Sequence, residues 1–179
     1  MSLTPDEAAA SLREAEHTQQ RSAEVAQYSR SSPFFILWGL FWVIGYSIAE
    51  YLPHWSNAAW VVLMIPTVAI HCFIGARSKG ASNPKLGFLM AVFFLFAMAN
   101  FTIMAPITPL QAAAFWPIFM AAIYTGFGIW IGMRFVVAGL VLALATFGGL
   151  FLLREHFNIW MAVMGGGTLI STGVWMRKV

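Results

Sequence analysis

No Asp, Glu, Lys or Arg occurs between Leu86 and Met133, a run of 48 residues. A helix rises about 1.5 Å per residue, so roughly 20 apolar residues cross a hydrocarbon core of about 30 Å. The run is too long for one crossing and long enough for two. Elsewhere charge is nearly as scarce: 9% of the 179 residues are charged and 60% are hydrophobic, where soluble domains carry roughly a quarter charged. Eight of the 17 charges fall within the first 32 residues. The pattern excludes an ordinary soluble domain and predicts an all-α polytopic membrane helix bundle over 33–179, preceded by a polar helical segment over 1–32.

Turn residues and charges divide the apolar part into six transmembrane helices. The first runs from Pro33 to Leu52 and is closed by Pro53-His54-Trp55-Ser56-Asn57; the second runs from Ala58 to Gly75, ahead of a basic loop from Ala76 to Lys85. Pro106-Ile107-Thr108-Pro109 splits the uncharged run into helices near Leu86–Ala105 and Leu110–Gly132, because proline lacks an N–H and clashes with the preceding turn. The fifth covers Phe135–Leu153, and Arg154-Glu155-His156-Phe157 turns the chain into the sixth, Asn158–Met176.

Six spans place both termini on one side. Arg13, Arg21, Arg30, Arg77, Lys79, Lys85, Arg134, Arg177 and Lys178 then share that side, and Arg154 alone lies opposite. The positive-inside rule makes the shared side cytoplasmic. The net charge of +3 is thus a topology signal, and no nucleic-acid partner is expected. The first 30 residues lack the apolar core of a cleavable signal, so the first span is expected to direct insertion. The single cysteine, Cys72, rules out a disulfide within the chain.

Thr4-Pro5-Asp6-Glu7 combines an N-cap, proline at the first helical position and a capping-box acid, so a helix is expected to start there and reach about Tyr28. Its apolar positions, Ala8, Leu12, Ala15, Val25 and Ala26, are small and sparse. That face suits either a solvated lead-in to the first span or a cytoplasmic helix that docks a partner protein. Five acids against three arginines make it a poor anchor for anionic lipid.

Shifting the chain by 100 positions superimposes the first hairpin on the last, matching Gly39 with Gly139, Trp60 with Trp160, Met64 with Met164 and Arg77 with Arg177. The same shift sets Pro66 opposite Gly166, within Gly165-Gly166-Gly167. Interrupted helices at matching places in two repeats mark binding sites in transporters. Proline kinks and glycines at close helix contacts produce the same pattern.

Ionisable groups within spans are the natural functional candidates, since burying charge in hydrocarbon is costly. Glu50 lies one turn beyond Tyr46 and one before His54, and the three share a face if the helix persists past Pro53. Asn100, Thr102 and Gln111, with Glu50, His54, Arg154, Glu155, His156 and Asn158, are expected around one outer polar vestibule. His71 lies deeper, beside Cys72; it could ligate haem or metal only with further ligands, and hydrogen bonding between helices suits a lone histidine better. Gly126, and Gly128 with Gly132 as a GxxxG, offer helix contacts, either internal or in a homo-oligomer.

Absences narrow the chemistry further. Asp6 is the only aspartate, which excludes an intramembrane di-aspartate protease, and no GxSxG, HExxH, CxxC, Walker or dinucleotide motif occurs. No cofactor and no catalytic residue is therefore expected. The Pro5-Asp6-Glu7-Ala8-Ala9-Ala10-Ser11-Leu12-Arg13 start, the approach to Ser32-Pro33-Phe34-Phe35 and the Met164-Gly165-Gly166-Gly167 to Trp175-Met176-Arg177-Lys178 ending resemble an uncharacterised group of small bacterial six-span inner-membrane proteins. The resemblance implies a multi-pass protein of the bacterial cytoplasmic membrane and carries no functional residue. Three functions remain in view, in this order: a non-enzymatic interaction or regulatory protein with a cytoplasmic docking helix, a small oligomeric transporter or channel, and a membrane redox or lipid-modifying enzyme.

Overall fold

A computed structural model describes residues 5–77 and 84–178. These residues contain no β-strand. α1 (Pro5–Tyr51) passes through a 3-10 turn (Pro53–Trp55) into α2 (Ser56–Arg77); α3 (Pro84–Ile103), α4 (Pro109–Ile131) and α5 (Met133–Leu152) follow. After a second 3-10 turn (Arg154–His156), α6 starts as α-helix (Phe157–Trp160), becomes π-helical (Met161–Gly166) and returns to α-helix (Gly167–Arg177). Five of the six helices are long and apolar enough to cross a membrane, while α3 is apolar over the shorter stretch Gly87–Ile103.

α1 is one unbroken helix of 47 residues, about 70 Å long. It runs straight across the position where a polar segment was expected to give way to a span. Pro33 sits inside it. A proline in a span removes one backbone hydrogen bond, which neighbouring helices help to accommodate. α2 is likewise continuous through Pro66, so that residue does not interrupt its helix. The third internal proline, Pro117, is buried in α4.

The core lies among α1, α4, α5 and α6, where Phe35, Trp42, Tyr46, Ala121, Leu142, Phe157, Met161 and Leu169 pack together. α1 meets α6 through a ladder of small residues at heptad spacing. Ser32 faces Gly173 and Gly39 faces Gly166. A Cβ on Gly39 would lie 2.7 Å from Ile170 Cγ1 and 2.9 Å from the Gly166 carbonyl oxygen, so the backbones touch where a side chain would not fit. Such contacts matter in lipid, where helices gain nothing by hiding apolar surface from tails that are equally apolar.

α2 and α3 lie at the edge of the bundle. Only 6% of the apolar window of α2 is buried, against 50% for α6. α2 rests on α1 through Trp60, whose ring covers Gly45 and contacts Phe41 and Tyr46. α3 leans on α4 through ring contacts, among them Phe101 with Phe115 at 4.7 Å and Phe94 with Trp116 at 6.2 Å.

The two hairpins that match in sequence also turn alike. Leu52 (φ −132°, ψ 62°) and Leu153 (φ −131°, ψ 44°) each end a helix and lead into a three-residue 3-10 turn. Trp60 then packs back on Gly45, and Trp160 Nε1 donates to the Ala145 carbonyl at 2.6 Å, the same fifteen-residue separation in each hairpin.

Candidate functional site: a clamp at the base of the long helix

The polar contacts between helices concentrate at the end of the bundle where α1 enters it. Tyr28, one turn before Ser32 on α1, is buried, and its hydroxyl donates to the Glu24 carboxylate. The same oxygen accepts from the Arg134 backbone N–H at 3.3 Å. Burial and then the hydrogen bond to Glu24 raise the phenol above its ordinary pKa. The chain can approach this closely because the corner between α4 and α5 is Gly132, with φ at +146°. A Cβ there would collide with the Tyr28 hydroxyl and lie 2.5 Å from Glu24 Oε1.

Arg134 crosses from α5 to both neighbours. Its guanidinium lies over the rings of Tyr28 (5.0 Å) and Trp175 (4.8 Å), and Nη1 donates to the Trp175 carbonyl at 2.6 Å. One turn further along α1, the Ser32 hydroxyl donates to the Gly173 carbonyl at 2.6 Å and accepts from Arg177 Nε at 3.0 Å. The first turn of α5, the last turns of α6 and residues 24–32 of α1 therefore meet at one end of the bundle. Sequence reasoning assigned Arg134 and Arg177 only to topology, and Tyr28 and Ser32 to no role. The one local signal is a lone aromatic in a polar helix; the partners come from helices more than 100 residues away.

At the opposite end, Glu50 Oε1 and His156 Nδ1 approach to 3.8 Å, joining the end of α1 to the turn before α6. The rest of the expected vestibule is divided. α1 stops at Tyr51, so His54 lies in the exposed 3-10 turn and does not extend the face of Tyr46 and Glu50. Tyr46 instead donates to the Ala113 carbonyl on α4 at 2.6 Å. Asn100 donates to Phe96 O in its own helix. Gln111 forms a capping box with Thr108 at the start of α4, with proline at the first helical position. The spacing Thr108-Pro109-Leu110-Gln111 carries that signal in the sequence itself. Arg154 and Glu155 are exposed.

The remaining candidates have packing roles or open surroundings. His71 Nδ1 accepts from Trp38 Nε1 at 3.2 Å, and its ring lies 4.4 Å from that of Phe34. Gly128 packs against Val136 in the next helix, so with Gly132 it serves the α4–α5 corner; a Cβ on Gly126 would meet nothing within 4 Å. Gly165 and Gly166 end the π-helical turn, against Trp42 and Val43 of α1, while a Cβ on Gly167 would meet nothing. Among the described residues, no three His, Cys, Asp or Glu side chains gather as metal ligands. No family profile, curated protein or solved structure matches the chain.

Proposed function

We propose that this chain is a membrane-anchored, non-enzymatic interaction or regulatory protein of the bacterial inner membrane, with six spans, both termini in the cytoplasm, and the start of α1 as its docking helix. The observation that carries the reading is the continuity of α1. Described residues up to Ala23 are exposed on every face, whereas from Tyr28 onward the helix is held by α2, α4, α5 and α6. Roughly 30 Å of helix extends beyond the clamp. A flexible tail would lose conformational entropy on binding, whereas a helix already rigid and aimed by its base gives up less. The test is affinity capture with the full-length protein in membranes and with a variant lacking residues 1–22. A partner recovered only by the full-length protein supports the reading; identical recovery removes it.

A transporter or channel reading draws on the π-helical turn and on an adjoining groove of about 300 Å³ lined by Val43, Ser47, Tyr51, Ile159, Ala162, Val163 and Gly167. That lining is mostly apolar, and the Ser47 hydroxyl already donates to Val43 O at 2.6 Å. The groove offers few groups to replace the hydration of a polar solute, so the interaction reading ranks first.

A further inference from the structure

The clamp holds two guanidinium groups on successive turns of one face of α1. Arg134 is fixed beside Tyr28 and Arg177 beside Ser32, and residues four apart on a helix stand about 6 Å from each other. Lys178 follows directly and is exposed. We propose that Arg134, Arg177 and Lys178 form a binding site for the phosphate of an anionic phospholipid at this end of the bundle. The inference does not depend on the docking role of the α1 arm.

Three features favour this occupant. Arg134 uses Nη1 on the Trp175 carbonyl and is steadied by two rings, and Arg177 uses Nε on Ser32. Each guanidinium has five N–H donors in a fixed fork, so both retain capacity for phosphate oxygens with their orientation already set. Among the described residues, three cations also outweigh the one carboxylate in the cluster, Glu24, which is engaged with Tyr28. Finally, exposed apolar residues flank the cations along the chain: Trp130 is 81% exposed and Met133 67%, with Trp175, whose ring Arg134 covers, at 42%. A soluble phosphate gains nothing from such a surface, whereas acyl chains lie against it and tryptophan favours the headgroup level.

The test uses the full chain in detergent micelles, titrated separately with short-chain phosphatidylglycerol, short-chain phosphatidylcholine and inorganic phosphate. Binding is read by native mass spectrometry and by the thermal midpoint. Phosphatidylglycerol is expected to bind and raise the midpoint, while the other two do neither. The R177Q/K178Q variant is expected to bind about 25-fold more weakly, roughly fivefold for each cation removed. Wild-type binding should also weaken as salt rises, since the Debye length falls from about 10 Å at 0.1 M to about 3 Å at 1 M; this arm needs no variant to fold. An equal response to phosphatidylcholine, full reproduction by inorganic phosphate, unchanged binding by the variant, or insensitivity to salt would each overturn the proposal.

Discussion

The Ser32 hydroxyl on α1 donates to the Gly173 carbonyl on α6 across 2.6 Å, and both residues are buried. The contact exists because Gly173 has no side chain: a Cβ there would lie 2.6 Å from Ile36 Cγ1 and 2.9 Å from the Ser32 carbonyl oxygen. One hydroxyl thereby joins the backbone of α6 to Arg177 and holds both against the long helix.

Replacing Gly173 or Gly39 with leucine should separate α1 from α6. Overpacked contacts cost roughly 1–3 kcal/mol, and here the opposing atoms include backbone, which cannot turn aside. A lowered thermal midpoint in detergent, with helix content retained, is the expected result. Gly167→Leu, at a position with open surroundings, should leave the midpoint nearly unchanged.

Gly132→Ala should destabilise the corner for two reasons: φ at +146° suits glycine, and the new methyl meets Tyr28 and Glu24. Strained backbone of this kind costs about 1–3 kcal/mol. If the clash is the larger part, adding Tyr28→Phe and Glu24→Ala to Gly132→Ala should recover part of the loss in the midpoint, which comparison of the triple variant with Gly132→Ala alone and with the Tyr28→Phe/Glu24→Ala pair measures.

Trp160→Phe removes the hydrogen bond to Ala145 O and part of the ring that covers Gly149. Hydrogen bonds between membrane helices average about 0.6 kcal/mol, so the loss should be modest and mainly one of packing. Trp160→Ala should lower the midpoint much more than Trp160→Phe. Similar losses in the two variants would assign the contribution to the hydrogen bond.

The Glu50–His156 pair is expected to contribute little. At 3.8 Å, with the His156 side chain 69% exposed, it resembles surface ion pairs worth about 0–1 kcal/mol. Glu50→Gln should therefore shift the midpoint by no more than a degree or two. A large drop would place Glu50 in a structural role beyond this contact.

Removal of residues 1–22 should leave the thermal midpoint of the bundle within about a degree, because the described residues of that stretch are exposed and the clamp begins at Glu24. Midpoint measurements on the truncated and full-length proteins check this separately from partner capture.

Much of the element order is legible in the sequence. Apart from the start of the first, the apolar runs begin and end within two residues of the helices; Pro109 opens α4, Pro106 lies three residues past α3, and the paired turns follow Tyr51 and Leu152 directly. In hydrocarbon every backbone group must be paired, and a helix pairs its own groups within a single segment, so local composition suffices to predict it. The candidate site was far less legible. Glu50 was readable as a polar group near a span end, but its partner His156 belongs to another hairpin. Tyr28, Ser32, Arg134 and Arg177 have no common motif, spacing or local composition.

Sequence alone therefore determined that the chain is helical and where proline and charge divide its apolar stretches; it predicts six spans, of which five form helices long and apolar enough to cross a membrane. Tertiary structure decided that α1 continues past its apolar part without a break and which helix it lies against. It also turned Arg134 from a marker of charge asymmetry into the centre of a clamp. The division has a physical cause. Hydropathy acts on each segment independently and decides where the chain prefers lipid, but it cannot choose among partners that are all equally apolar. That choice rests on close approach at Gly39, Gly166 and Gly173 and on a few directed hydrogen bonds, which exist only once the helices are side by side.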